Sequence, residues 1–545
     1  MTEQSELIVH NGRITTLAND GTPPEVDALL ISGGRVRYAG DTASARELAG
    51  RGARVLDAGG RRIVPGLIDA HCHVVRAGRT WNDEIRWEDT TDLAGALGQI
   101  AAATRTRPRG QWLTVVGGWH PDQFAERRGP TRAELDQVAP DHPVLVQCMY
   151  SWGMLNSAGI HMVDLDRAVA DGVDPGDVDT GDDGRPTGVV RGMAALRWLY
   201  WQLPEPPPEQ QVASTIAASQ ALSRCGLTGV IDGGGTNTGP DAYHALYAAW
   251  RSRQLTLRVR TTVHASRPGA ELSEIGGYLR YLAPGLGDDM LRVLGIGEVV
   301  HYAIHDGFHR APDLSEATLD EVFGIFLDCA RRGWTVQLHA IRPDTIDTAL
   351  DLWERVAKEV DISRLRWALV HGEGLTAATV QRMAALQVGV LVPALLRFEG
   401  ADLVAAWGAE RAAAAPPLGT LADAGVRVGG GTDAMRVASY NPFTALHWYV
   451  TGRTVGGDQL RSAEHLLSRD DALRLYTEQA AWFSFEEDCR GRLQPGMLAD
   501  LVVLDRDYFT VAADEITATQ ADLTLVGGEP TWCSPAFDGA FAHHT

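Results

Sequence analysis

The apolar positions of this chain change period along its length, and the changes divide it into blocks. Residues 1–64 carry short apolar runs, Glu6-Leu7-Ile8-Val9, Asp27–Ile31 and Arg35–Ala39, separated at Asn11-Gly12 and Gly33-Gly34. This pattern predicts strands joined by turns. Ile63, Val64, Leu67 and Ile68, with Pro65-Gly66 among them, read as a buried strand. From about residue 208 the pattern alternates. A helix at about 208–224 leads to the strand Gly229–Asp232, and a helix at about 240–253 leads to Leu255–Ala265. Leu291–Val300, Thr335–His339, Trp367–His371, Gly389–Pro393 and Val426–Asp433 follow. With the first strand these make eight. Strand–helix alternation predicts a parallel sheet, and eight units predict a (β/α)8 TIM barrel with its chemistry at the C-terminal strand ends.

The flanking blocks do not follow that rule. Residues 80–195 do not read as one βα unit. They hold strands at Trp112–Val116 and Pro143–Gln147, then Met154-Leu155-Asn156-Ser157-Ala158, then Asp182–Val190 after a Gly/Asp-rich loop. The proline-rich joint Leu203–Gln210 precedes the alternating block, and Arg469–Trp482 reads as a helix after it. The β-pattern returns at Gly491–Leu504 and Leu523–Val526. The N-terminal strands are too few for a core of their own and need a partner, which the C-terminal strands supply.

Composition narrows the function classes. A length of 545 residues accommodates one barrel and accessory domains. Lys+Arg 49 against Asp+Glu 70 gives 49 − 70 = −21, which argues against nucleic acid or an anionic membrane as partner. Six cysteines at 72, 148, 225, 329, 489 and 533 show no CxxC spacing, so a reducing cytoplasm is expected. The first residues show no basic region followed by an apolar one, and no apolar run reaches membrane-spanning length. Lys358 is the only lysine; all other cationic side chains are arginine.

The candidate chemistry begins at His71-Cys72-His73. On a strand, residues i and i+2 share a face, so the two imidazoles converge while Cys72 points away. Paired imidazoles ending a buried strand are ready metal ligands. Three more polar residues close apolar strands downstream: His339, His371 and Asp433.

Val64–Val74, containing PGLIDAHCH, resembles the first-strand signature of the amidohydrolase superfamily. Gly491–Asp505, containing ADLVVLD, resembles its C-terminal motif. Val336-Gln337-Leu338-His339-Ala340-Ile341 and Gly430-Gly431-Thr432-Asp433 match the flanks of its metal site. Landmarks in 80–195 are similar to the amidohydrolase 3 (YtcJ-like) branch, which includes N-substituted formamide deformylases. The resemblance covers nearly the whole chain. It implies a small β-sandwich from residues 1–64 and 490–545, a barrel from 65–79 and 196–489, and an insertion or lid at 80–195. It also implies a metal site of His71, His73, His339, His371 and Asp433, and a homodimer. The chain departs from the pattern at Tyr150-Ser151-Trp152, where a histidine is usual, and at Arg191-Gly192, where relatives often carry glutamate. A third departure is Arg342-Pro343 in place of Gly-Asp.

The mixed donor set suits Zn²⁺, in one or two ions, with Fe²⁺, Mn²⁺ or Co²⁺ open. The expected activity is hydrolysis of an amide or formamide C–N bond in a small molecule by a metal-activated hydroxide. Asp433 would act as general base and acid, and His371 as ligand or oxyanion partner. A deaminase is the alternative within the superfamily. The glutamate such enzymes carry three residues beyond His339 is Arg342 here, with Glu373 as the nearest substitute. A metal-free binding or regulatory protein is the alternative outside it; the mark of that class, loss of the HxH pair or of Asp433, is absent. Trp119, His120, Trp152 and His301 are the candidate substrate contacts.

Relatives with two metals often carry a carboxylated lysine after strand 4. Here that stretch reads Gly295-Ile296-Gly297-Glu298, and Lys358 falls in a helix-like run. Either one ion is held by His71, His73, His339 and Asp433, or Glu298 supplies a bridging carboxylate. The second case requires a bulge near Gly295 or Gly297, because a one-residue offset turns a strand side chain to the other face.

Overall fold

The structure is a computed structural model that describes residues 6–235 and 238–541. Its central sheet has eight parallel strands: β1 (Leu67–Cys72), β2 (Leu227–Asp232), β3 (Arg258–Val263), β4 (Leu291–Ile296), β5 (Thr335–Ala340), β6 (Ala368–His371), β7 (Gly389–Pro393) and β8 (Val428–Gly431). They pair in sequence order. The sheet closes between β8 and β1, where Asp433 N–H donates to His71 O at 2.9 Å and His73 N–H to Ala434 O at 2.8 Å. This is the TIM barrel that the strand–helix alternation predicts.

Side chains alternate across the barrel wall, as strand geometry requires. Ile68, Ala70, Ile231, Leu294, Ala368, Val370 and Leu391 pack together in one cluster, inside the barrel. Leu67, Val230, Val293, Val336, Leu338, Leu369 and Val390 join the larger core, facing the surrounding helices. Pro343–Ala357 shows how the helices are built. Proline opens its first turn, and Ile346, Ala349, Leu350, Trp353 and Val356 form its buried stripe. Lys358 follows it and is exposed.

Two elements differ from expectation. The expected helix at 240–253 begins as a 3-10 turn, Pro240–Tyr243, and becomes α-helical at His244–Arg251. The expected helix Arg469–Trp482 is split into Arg469–Leu475 and Glu478–Phe483. The break has a use: the Tyr476 carbonyl, released from the helix, accepts the Ile68 N–H at 2.6 Å and ties the segment to β1.

Strands from both ends of the chain share a six-stranded sheet, in which Arg62–Pro65 pairs antiparallel with Leu501–Leu504. A four-stranded sheet contains Glu6–His10, Ala28–Ser32, Arg35–Gly40 and Arg54–Asp57. Residues of both sheets bury one shared core, including Leu7, Val9, Leu29, Ile63, Leu501 and Leu523. The segment after β1 forms another six-stranded sheet, from Glu84–Ile85 to Pro186–Arg191. It lies at the C-terminal mouth of the barrel: Gly117 abuts the Arg436 backbone beyond β8, and Arg76, beyond β1, stands 5.5 Å from the Tyr150 ring.

Candidate metal centre

Asp69 sets the geometry between the first and last strands. It is buried, and it accepts hydrogen bonds from His71 N–H at 3.1 Å, Thr432 N–H at 3.1 Å and the Thr432 hydroxyl at 2.5 Å. Burial pushes its carboxyl up to about 6 against those bonds. The result is that His71, at the end of β1, faces Asp433, just beyond β8.

His71 and His73 converge as their spacing requires. Their ring centroids are 5.1 Å apart and nearly perpendicular. Both nitrogens of His73 face oxygen: Nδ1 lies 2.8 Å from Gly234 O and Nε2 3.0 Å from Asp433 Oδ1. A neutral imidazole can donate only one hydrogen bond, so a positive charge must stand between Nε2 and Asp433. Burial opposes a charged His73, but Glu298 and Asp433 outweigh burial and raise its pKa.

Glu298 stands at the middle of the cluster. Oε2 lies 3.4 Å from His71 Nε2 and 3.7 Å from His339 Nδ1, and Oε1 lies 3.7 Å from His73 Nε2. The β3–β4 register explains how it gets there. Thr261 pairs with Val293 but Thr262 pairs with Gly295, so Leu294 is skipped. Val293 and Ile296 both face the outer core while Leu294 faces inward, a spacing that only an inserted residue permits. Gly297 completes the approach: a Cβ there would come 2.3 Å from both Gly233 O and Thr262 Oγ1. Glu298 N–H then bonds Gly233 O at 3.1 Å.

His339 and His371 close the cluster from β5 and β6, with ring centroids 4.6 Å apart. His339 is oriented by Asp306: its Nε2 lies 3.1 Å from the Asp306 carbonyl oxygen and 3.2 Å from Asp306 Oδ1. Asp306 also accepts the backbone N–H groups of Ile341 and Arg342, at 3.0 and 2.7 Å. Burial disfavours a charged His339, but Asp306 and Glu298 outweigh it and raise its pKa to about 10. His371 has no carboxylate so close, and burial depresses its pKa to about 3. His371 and Asp433 hold φ angles of +80° and +60°. Non-glycine residues reach that region at a cost, and such strain gathers where side chains must be aimed.

Five of the six side chains, all but His339, fall in groups that could hold a metal ion. The donor atoms of His71, His73 and Asp433 lie within 4.8 Å of one another, and so do those of His71, Glu298 and His371. His71 Nδ1 and Nε2, His339 Nδ1 and His371 Nδ1 are buried and have no hydrogen-bond partner. Buried nitrogens beside two carboxylates need a proton or a cation to satisfy them. Lys358 is exposed at a helix end, so no lysine reaches the centre.

The structure does not bring the four expected substrate contacts to this cluster. Trp119 is fully buried in an aromatic group with Trp87, Phe124 and Trp152, and its indole N–H donates to Gln147 O at 2.8 Å. It packs the insertion. Trp152 is edge-on to it and covers Gly129. His120 caps the turn Pro121–Gln123. His301 caps Tyr302–Ile304 and reaches Glu321 at 3.3 Å.

Of the other residues near the centre, Glu373 is marked in the chain as the nearest substitute for a deaminase glutamate, whereas Asp306 and His264 are not marked there. Asp306 lies in the loop after β4, without the strand context that marks the histidines. His264 packs against Gly234, where a Cβ would come 2.2 Å from its Nδ1. His305 stacks on His339 at 3.9 Å between centroids. Glu373, two residues past His371, is buried with neither carboxylate oxygen hydrogen-bonded; burial pushes its pKa up to about 8.

Comparison with known proteins places this geometry in context. The family model described as "Amidohydrolase family" matches residues 54–532. The chain is similar to the N-substituted formamide deformylase of Arthrobacter pascens, with 28% identity covering 97% of this chain and 98% of that protein. It is similar to the putative amidohydrolase YtcJ of Bacillus subtilis (strain 168), with 24% identity covering 96% of this chain and 99% of that one. A crystal structure of an uncharacterized metal-dependent hydrolase from Pyrococcus horikoshii OT3 has the same fold. Its TM-score is 0.67 at 20% identity, covering 94% of this chain and 99% of that chain.

Proposed function

Because the chain belongs to the amidohydrolase family and is a metal-dependent hydrolase, we propose that it cleaves the C–N bond of an amide or formamide in a small molecule. The observation that carries this reading is the buried cluster of four histidines with Glu298 and Asp433 at the barrel mouth. Likeness to a formamide deformylase along nearly the full length of both chains supports the amide class.

His71, His73, His339, His371, Asp433 and Glu298 would hold the ion, for which we propose Zn²⁺. Such an ion supplies Lewis acidity and lowers the pKa of water toward about 7. The chain supplies the rest. The Asp433 carboxylate faces both His73 and His371, with Oδ2 3.9 Å from His371 Nε2. Burial would raise its pKa, but the histidines outweigh burial and lower it, so Asp433 is ready to accept a proton from the attacking water. It then passes that proton to the leaving nitrogen. His371, neutral at pH 7, can donate one N–H to a developing oxyanion. Asp69 and Asp306 keep β1, β8 and His339 in place. Glu298 offers two oxygens between the two halves of the cluster, as a bridging carboxylate would.

A second reading has one specific observation behind it. Glu373 is a buried carboxyl whose raised pKa leaves it protonated near neutral pH, as a deaminase acid would be. The test is metal analysis of the purified protein, followed by a panel of N-formyl and N-acyl amines with and without chelator. Chelator-sensitive release of free amine is expected. Release of ammonia from amino-heterocycles, with every amide left intact, would replace this reading with the deaminase.

A further inference from the structure

The segment that follows Asp433 is gripped by the insertion, and the grip centres on Arg436. Its guanidinium Nη1 lies 3.0 Å from Glu84 Oε1, with the two side chains 6% and 2% exposed. Glu84 opens the insertion's sheet. Its other oxygen receives Arg86 at 2.6 Å, and Thr80 Oγ1 donates to Oε1 at 2.6 Å. The Tyr200 ring lies 5.0 Å from the Arg436 guanidinium. A buried cation and a buried carboxylate this close restrain each other, and Arg436 without Glu84 would stand uncompensated in a low-dielectric interior.

The backbone is gripped as well. Gly117, at φ +63°, lies so close that a Cβ there would come 2.2 Å from Arg436 Cα and 2.3 Å from Arg436 O. Farther along, Tyr440 packs edge-on to Trp81 of the insertion, with centroids 5.1 Å apart. The barrel holds the near end of the segment, through His73 N–H to Ala434 O at 2.8 Å and Ala434 N–H to Thr432 Oγ1 at 3.1 Å. Asp433 therefore sits between one anchor in β1 and β8 and another in the insertion. Its φ of +60° needs restraint from both sides.

We propose that Arg436 is a positioning residue: through its pair with Glu84 and its contact with Gly117, the insertion keeps Asp433 in register with the histidines. The inference rests on Asp433 being a ligand and base, as proposed above. It makes the insertion part of the centre's alignment as well as its cover.

Hydrogen exchange over residues 433–441 in the metal-free protein reads this coupling without metal or substrate. Zn²⁺ affinity, by competition with a chromophoric chelator, reads its consequence. Arg436→Gln and the milder Glu84→Gln are expected to speed exchange there and to weaken Zn²⁺ binding about tenfold or more. Arg436→Lys, which keeps the charge, should recover most of both. Asn156→Ala is the control. Asn156 is a buried hub of the insertion that bonds Val144 N–H, Ala139 O and His142 O, none of which belongs to the 433–441 segment. It should loosen the insertion yet leave both readouts as in wild type. Wild-type exchange and affinity in Arg436→Gln would overturn the proposal, as would equal losses in Asn156→Ala. If wild type binds Zn²⁺ but hydrolyses no C–N substrate, the functional reading fails, while these two measurements still decide the role of Arg436.

Discussion

Glu298 Oε2 lies 3.4 Å from His71 Nε2, although Glu298 follows β4 and His71 lies at the end of β1, strands that are not neighbours in the barrel. The skipped residue Leu294 makes this approach possible. Glu298→Gln keeps the shape and removes the charge. It is expected to lower bound metal per chain and to cut activity at least about tenfold, within the range of lost ligand-shell contacts. Elemental analysis of both proteins checks this, and equal metal content with equal activity would remove Glu298 from the ligand set.

Asp433→Asn should lose at least about 10²-fold in kcat with the fold intact, because an amide cannot take the proton from water. Circular dichroism and steady-state kinetics on one preparation check it. Near-wild-type turnover in a folded variant would end the general-base role.

Asp306→Ala should act on metal binding through His339. Without the carboxylate 3.2 Å from Nε2, the ring keeps the Asp306 carbonyl at 3.1 Å but loses the charge that favours its Nε2 proton, and Ile341 and Arg342 lose the acceptor that holds the strand end. Metal affinity is expected to fall about 10- to 100-fold. Asp306→Asn, which keeps one hydrogen-bond acceptor, should fall less. A chelator titration that gives the reverse order would contradict this.

Gly297→Ala tests the close approach that carries Glu298 into the centre. A Cβ 2.3 Å from Gly233 O must push two strand ends apart. The variant is expected to lose about 1–3 kcal/mol of stability, as overpacking does, and to lose metal affinity. Retention of both would show that the strand ends shift freely.

Stability should depend on pH through Glu486. Its carboxylate receives Arg260 at 2.6 Å and Arg490 at 3.1 Å, all three buried. Burial opposes the charge, but the two guanidinium groups outweigh burial and lower the pKa to about 2. A depressed carboxylate pKa contributes stability that is fully present above the unfolded value, about 4.5, and is lost as pH falls toward about 2. The contribution is about 3 kcal/mol. The stability gap between wild type and Glu486→Gln, from urea midpoints, should therefore shrink between pH 6 and pH 3. A constant gap would show that the pair does not control the titration.

The eight strands and the convergence of His71 with His73 were legible in the chain, because strand period and burial are local properties. Asp433 and the two later histidines were legible for the same reason: each ends an apolar run. The need for a bulge before Glu298, if it is a ligand, followed from strand parity and its one-residue offset from the position of the lysine in relatives. Its position did not, because the skipped residue is chosen by how β4 registers against β3. Asp306 gave no local signal; it lies in a loop, and only the closed barrel carries it to His339. Trp119 reads in the chain as a tryptophan beside a loop, and only the structure shows it packed in the core of the insertion. The sequence by itself determined the barrel, the donor types and the strand ends that carry them. Tertiary structure alone decided which oxygen faces which nitrogen, and that the insertion reaches Arg436. Those relations join residues hundreds of positions apart, and only the packed backbone fixes their distances.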